Sequence, residues 1–210
     1  MRRSIRTACL GIFVWALCMN GVQADVQLTQ NEKAYYENYQ SILGVMKKEM
    51  EEAPETGNPS LDFIYEMIPH HEAAVSMSEN VLTYGQNDKV KQLAKNIIKE
   101  QLAGIEKMEA LEKQLKLNPK VNKLAEKSYL KAYQGIYQKM ITAMEDAKPT
   151  GNIDKDFLEE MIPHHEGAIK MGANILKYTQ NKELKSIVQH IIVTQKKQAR
   201  EMKALLKSIQ

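Results

Sequence analysis

Apolar side chains recur every three to four residues through most of this chain, which is the spacing of one face of an α-helix. No stretch shows the period of two that is typical of a half-buried strand. The first periodic stretch predicts a helix over about residues 30–52, and Thr29 and Glu32 have the spacing of a capping box at its start. Its apolar face consists of Tyr35, Tyr39, Ile42, Met46 and Met50.

A segment rich in proline and glycine, residues 54–59, ends this helix. A second helix is expected to begin at a Ser60 cap and to run to about Tyr84. Gly85 ends it, and a third helix is expected from Asn87 to about Lys116. The third helix carries its own apolar face, so the three helices can pack together.

The whole pattern returns at an offset of 94 residues (161 − 67), and residues 31–116 align with residues 125–210 without a gap. Such an alignment predicts two copies of one folded unit. Asp154 takes the place of Ser60 as the cap, and Asn118 is expected to cap a helix that Pro119 opens. The chain is therefore predicted to be all-α: an antiparallel, ferritin-like helical bundle of two three-helix repeats, at residues 25–117 and 118–210.

Residues 1–24 have the composition of a cleavable signal peptide. Arg2, Arg3 and Arg6 precede an apolar segment, residues 8–19, that is too short to span a bilayer comfortably. Small residues at positions 22–24 fit a cleavage site, so a mature chain starting at Asp25 is expected. This signal predicts a periplasmic or secreted protein, with no membrane insertion after the signal is removed.

Removal of the signal changes the chemistry that the chain can offer. Both cysteines and the single tryptophan lie within it, which excludes disulfides and thiolate metal sites from the mature protein. The signal contributes three arginines and no acidic residue, so the net charge falls from +3 to 0. A neutral chain without a basic block gives no electrostatic reason to expect binding to nucleic acid.

The sequence Met-Ile-Pro-His-His-Glu occurs at residues 67–72 and again at residues 161–166. With about 100° between successive residues of a helix, His70 falls on the apolar face, His71 at its rim and Glu72 on the solvent side. Pro69 lacks an N–H group and is expected to kink this helix. The alternative is that a new helix begins at Pro69.

Methionine and histidine positions agree unusually well between the repeats. Ten of the twelve methionines follow residue 24 and all ten are paired by the offset, as are four of the five histidines; His190 faces Asn96 instead. Leucine replaces methionine in cores at little cost, so this agreement favours ligand roles. A packing role is assigned only to Met46, Met50, Met140 and Met144.

Thioether and imidazole donors without thiolate suit Cu(I), and the imidazoles also permit Cu(II). Zinc makes little use of methionine. The third helix offers one further thioether to each site. The candidate metal ligands are Met67, His70, His71, Met77 and Met108 in the first repeat, and Met161, His164, His165, Met171 and Met202 in the second.

The motif resembles that of the bacterial "domain of unknown function 305" family, and the resemblance covers both repeats. The matching residues are Asp62-Phe63-x-x-x-Met67-Ile68-Pro69-His70-His71-Glu72-x-Ala74-x-x-Met77, with their copies at residues 156–171. The resemblance implies an exported, loosely ferritin-like bundle, with copper binding and tolerance in some members and ligand roles for the motif's methionines and histidines. Many members carry an acidic residue before the last methionine, where this chain has Ser76 and Lys170.

These observations favour an exported copper-binding protein that sequesters or shuttles Cu(I) and contributes to copper tolerance, rather than an enzyme. The alternative is a ferritin-like di-metal oxidase or peroxide-handling enzyme. Asp62, Glu66 and His70 share a flank that would serve it, but the usual Glu-x-x-His pair is missing. An interaction module, in which the motif only shapes a kink, is a third interpretation. Metal stoichiometry, separate or shared sites, and any protein partner stay open.

Overall fold

A computed structural model describes residues 27–209, which form six α-helices. The first three are α1 (Gln30–Glu51), α2 (Pro59–Tyr84) and α3 (Asp88–Leu117). The last three are α4 (Lys123–Glu145), α5 (Ile153–Ile175) and α6 (Lys182–Ser208). No strand is present among these residues, so the all-α prediction is confirmed. The signal peptide predicted at residues 1–24 lies outside the described residues.

The start of α1 has the predicted capping box. The Thr29 side chain accepts a hydrogen bond from the Glu32 N–H group, and the Glu32 carboxylate accepts one of 2.6 Å from the Thr29 N–H group. The apolar face of α1 differs from the prediction at one position, because Leu43 is buried and Ile42 is only partly so.

The predicted caps of α2 and α5 are wrong. Asn58 and Asn152 cap these helices, and their side-chain oxygens accept hydrogen bonds from the N–H groups of the first turn. Asparagine is as good a cap as serine or aspartate. Ser60 and Asp154 instead contact the opposite repeat: the Ser60 hydroxyl lies 2.8 Å from that of Thr179, and Asp154 accepts from the N–H groups of residues 86 and 87.

The helix expected to open at Pro119 begins later, at Lys123. Asn118 is the C-cap of α3 and not the N-cap of α4. Asn122 caps α4, and its side-chain oxygen accepts a hydrogen bond from the Ala125 N–H group. Residues 119–122 stay non-helical, and the Asn122 N–H group donates to the Gly57 carbonyl at 2.6 Å. This bond holds the junction between the repeats against the α1–α2 loop.

The motif helices α2 and α5 lie at the centre of the bundle. The first packs between α1 and α3, the second between α4 and α6, and the repeats meet where α2 contacts α5 and α3 contacts α6. One continuous apolar core runs through both repeats. None of the helices between residues 27 and 209 has the length and apolar character needed to cross a membrane.

Candidate metal centre

Both motif helices run without interruption through their prolines, Pro69 in α2 and Pro163 in α5. The alternative in which a new helix begins at Pro69 is therefore wrong. His70 is fully buried, as predicted, and Glu72 is exposed, also as predicted. The expectation that His71 lies at the rim is wrong, because it is only 2% exposed.

His71 is buried because α3 lies directly against its ring. A Cβ atom added to Gly104 would lie 3.0 Å from Cδ2 of His71 and 3.1 Å from Nε2. A glycine at this position therefore lets the backbone of α3 approach the imidazole edge. The angular position of His71 around the axis of α2 does not show that a second helix, α3, packs against its ring.

The four histidines of the two motifs lie together where α2 contacts α5, each ring close to the next. The ring centroids are 6.0 Å apart between His71 and His70, 3.7 Å between His70 and His164, and 5.9 Å between His164 and His165. We call this arrangement the histidine row. The imidazole nearest to His70 thus comes from the other repeat, and the structure joins the two motifs at one place.

Hydrogen bonds leave most nitrogens of the histidine row free. The Nε2–H group of His164 donates to the backbone carbonyl of His70 at 3.0 Å, and His165 Nε2 is hydrogen-bonded to the Gln198 side chain at 2.9 Å. Within residues 27–209, both ring nitrogens of His70 and the Nδ1 atoms of the other three lack a partner. A buried polar atom without a partner costs about 1–3 kcal/mol, and the unprotonated nitrogen of a neutral imidazole is able to bind a metal ion.

Burial keeps the row uncharged. Desolvation is the largest cause that lowers the pKa of His70 and of His164 well below the usual histidine value, and the neighbouring imidazoles lower it further. The same cause lowers the pKa of His71 to about 3 and that of His165 to about 4. All four rings are therefore neutral near pH 7, which is the form that binds a metal ion.

The candidate methionine ligands all lie in the apolar core. Their exposure is 0–1%, and the four methionines assigned to packing are buried as well. Burial therefore does not separate the proposed ligands from packing residues. In the part of the chain that the structure describes, no three His, Cys, Asp or Glu side chains converge to hold a metal ion. The buried candidate thioethers are Met67, Met77, Met108, Met161, Met171 and Met202.

The carboxyl groups beside the motif have other hydrogen-bond partners. The Tyr35 hydroxyl donates to Glu160 at 2.6 Å, and the Tyr129 hydroxyl donates to Glu66. Burial raises the pKa of both glutamates well above the usual value, although the tyrosine hydrogen bonds oppose this. Asp62 accepts from the N–H and hydroxyl groups of one loop threonine, Thr56, at 2.9 and 2.6 Å.

These tyrosine–glutamate pairs were not predicted from the sequence. The offset of 94 residues relates Tyr35 to Tyr129 and Glu66 to Glu160, so the sequence shows that both repeats carry the same two residues. This match does not indicate that each tyrosine is hydrogen-bonded to the glutamate of the opposite repeat. The carboxylates on which a di-metal enzyme would depend are thus engaged in structural contacts.

Residues 60–206 match the family model described as a domain of unknown function, DUF305. The chain belongs to this family. The match begins in α2 and ends in α6, so it includes both histidine pairs of the row.

Several solved structures have a similar fold. A DUF305 fragment from Deinococcus radiodurans is 23% identical with a TM-score of 0.55, over 72% of this chain and 97% of that one. CopM is similar in its Ag-bound form, at 28% identity, and in its Cu(I)-bound form, at 30% identity. Both CopM comparisons have a TM-score of 0.54 and cover 71% of this chain and 96% of CopM.

A curated relative is an uncharacterized protein of Acanthamoeba polyphaga mimivirus, 38% identical over 53 residues. These residues are 25% of this chain, and the chain spans about a third (35%) of the viral protein's length.

Proposed function

We propose that this protein binds copper, as Cu(I) in preference to Cu(II), and sequesters it or passes it on. The observation that carries the proposal is the histidine row, with its buried neutral imidazoles and free nitrogen atoms. The similar protein CopM has been solved with Ag, Cu(I) and Cu(II) bound, which supports a copper-related role for a chain with this fold.

The geometry favours one shared centre over two separate sites. His70 and His164 come from different repeats, yet their rings are closer to each other than to the adjacent histidine of their own motif. A soft cation at this centre would take imidazole nitrogens from the row. Thioether sulfurs of the buried methionines, led by Met67 and Met161, would complete its ligands.

The export signal proposed at residues 1–24 would place this binding in the periplasm or outside the cell, as part of copper tolerance. The mature chain would then consist of the two repeats proposed at residues 25–117 and 118–210. Thioethers and imidazoles avoid the thiol oxidation to which a cysteine site is subject outside the cytoplasm.

The di-metal enzyme is the weaker candidate. Glu66 and Glu160 have raised pKa values and accept hydrogen bonds from tyrosines, so they are poorly suited to bind a hard cation as carboxylates.

The proposal is tested by an anaerobic Cu(I) titration of residues 25–210 against a chromophoric competitor. The wild type should compete for Cu(I), and replacement of all four row histidines by asparagine should remove that competition. His190→Asn changes a histidine outside the row and is the matched control, with equilibrium binding retained. A wild-type protein that never competes for Cu(I) would refute the proposal.

A further inference from the structure

The two repeats differ at one position next to the histidine row. In the second repeat, Gln198 is hydrogen-bonded to Nε2 of His165 at 2.9 Å. The offset of 94 residues places Gly104 at the equivalent position of the first repeat. A glycine has no side chain with which to bond His71, so the amide that is hydrogen-bonded to His165 has no equivalent at His71.

His71 forms part of the wall of a cleft between α3 and α6, which we call the α3–α6 cleft. His71 and Gly104 line it, together with Gln101 and Gln195, which are equivalent positions of the two repeats. Its free volume is about 20 Å³. A cavity needs roughly 10–15 Å³ to accept a water molecule, so the cleft has room for a single small particle.

Unpaired polar atoms lie in the wall of this cleft. Gln101 and Gln195 are 1% and 2% exposed, and neither Oε1 atom has a hydrogen-bond partner among residues 27–209. Two buried amide oxygens without partners, one from each repeat, are energetically costly unless something that enters the cleft interacts with them.

A further imidazole lies on the solvent side of the same cleft. The His190 side chain is 56% exposed, and its Nε2 atom is 3.1 Å from the carboxylate of Glu100. Both residues line the cleft that reaches His71. His190 is the histidine without a counterpart, since the first repeat has Asn96 at this position. An exposed imidazole–carboxylate pair and a buried imidazole therefore share one narrow opening.

We propose that the α3–α6 cleft is an access channel through which a single metal cation passes from His190 and Glu100 to His71 and so to the histidine row. This inference rests on the proposed copper function. Gly104 keeps the channel open, and the amide oxygens of Gln101 and Gln195 offer weak ligands along it. Gln198 also lines this cleft but is hydrogen-bonded to His165, so His71 is the row imidazole that an entering cation reaches first.

The first test needs no metal. Diethyl pyrocarbonate modifies accessible imidazoles, and mass spectrometry locates the modified residues. In the metal-free protein, His71 should be modified faster than His165. Gly104→Gln, which copies the second repeat, should slow His71 modification by roughly tenfold or more, since access then requires local opening. Gln198→Gly should accelerate modification of His165. Equal reactivity of His71 and His165 in the wild type would overturn the inference.

The second test follows Cu(I) uptake by stopped-flow mixing with a Cu(I)–chelator complex. His190→Asn should slow uptake several-fold while the equilibrium competition stays unchanged, because it alters the route and not the final ligands. Asn96→Ala, at the equivalent surface position of α3, is the matched control and should leave the rate unchanged. Circular dichroism and the thermal midpoint show whether each variant is folded, and Gly104→Ala replaces Gly104→Gln if the larger side chain prevents folding.

The two proposals fail in different ways. If the wild type binds no Cu(I), the proposed copper function is wrong, and the cleft is then not a route for copper either. If the wild type binds Cu(I) but neither position 104 nor position 190 affects histidine modification or uptake rate, only the channel is wrong.

Discussion

The phenol of Tyr35 donates a hydrogen bond of 2.6 Å to the carboxyl group of Glu160, a residue of the opposite repeat. Tyr129 and Glu66 form the equivalent bond in the other direction. Each repeat therefore supplies one donor and one acceptor to its neighbour, on either side of the contact between α2 and α5 that carries the histidine row.

Removal of one of these phenols should destabilise the fold. Tyr35→Phe leaves the carboxyl of Glu160 buried without its donor, at a cost of about 1–3 kcal/mol in the free energy of unfolding. The matched control is Tyr133→Phe, because the Tyr133 hydroxyl is buried without a hydrogen-bond partner in the described part of the chain. Urea unfolding should show a clear loss for the first variant and little for the second; equal losses would contradict the assignment.

A shared centre predicts how copper binding responds to a change in one repeat. His70→Asn should weaken Cu(I) binding by the whole protein, since His164 loses the partner ring that lies 3.7 Å away. Two independent sites would instead leave half of the bound copper with unchanged affinity. The competitor titration used for the wild type measures both quantities, and His164→Asn should give the same result as His70→Asn.

Acid should destabilise the protein, because histidines that are buried and neutral in the folded state take up protons in the unfolded state. The pKa of His71 is lowered to about 3 in the folded protein, whereas its ordinary value is 6.5. Below pH 6.5 the unfolded chain binds a proton that the folded chain does not. Titration of His71 therefore leaves the free energy of unfolding unchanged above pH 6.5 and lowers it as the pH falls from 6.5 towards 3.

The stability difference between the wild type and His71→Gln should accordingly change in favour of the variant by about 1.4 kcal/mol for each pH unit below 6.5. Taking the difference between variants removes the opposing contribution of the buried glutamates, whose pKa values are raised. Urea unfolding of both proteins at several pH values measures this difference in the free energy of unfolding. Met46→Leu, a buried change without a titrating group, should show a constant difference, and a constant difference for His71→Gln would refute the expectation.

Two glycines should respond to alanine in opposite directions. Gly57 has a φ of +80°, and a Cβ atom there would lie 2.8 Å from Cγ1 of Val121, so Gly57→Ala should destabilise the protein by more than about 1 kcal/mol. Gly44 lies in α1 with open space around the position of a Cβ atom. Gly44→Ala should stabilise the helix by about 0.5–1 kcal/mol. Thermal unfolding of the two variants separates these outcomes by sign.

Helical periodicity was sufficient to predict six helices, because each packs one apolar face into a common core. Helix boundaries were less predictable where neighbouring residues compete for one role. Asn58 and Ser60 are both good caps, and the structure uses Asn58 because Ser60 contacts Thr179 of the other repeat. Similarly, Asn122 caps α4, and its own N–H group is hydrogen-bonded to the Gly57 carbonyl of the other repeat.

The site was predictable only as far as a single helix determines it. Periodicity placed His70 in the core and Glu72 in solvent, as observed. The burial of His71 depends on how closely α3 approaches, which a glycine 33 positions away permits. The contact of His70 with His164 depends on the register of α2 against α5, and periodicity within one helix does not contain that register.

The exchange of hydrogen bonds between the repeats has a consequence for the chain as a whole. Cutting it between α3 and α4 would leave each half with an unmatched phenol and an unmatched carboxyl, and each half would carry the complement of what it lacks. Two copies of the first half could pair Tyr35 of one with Glu66 of the other. In these two tyrosine–glutamate bonds the protein is thus equivalent to a symmetric dimer whose subunits are joined by a covalent link.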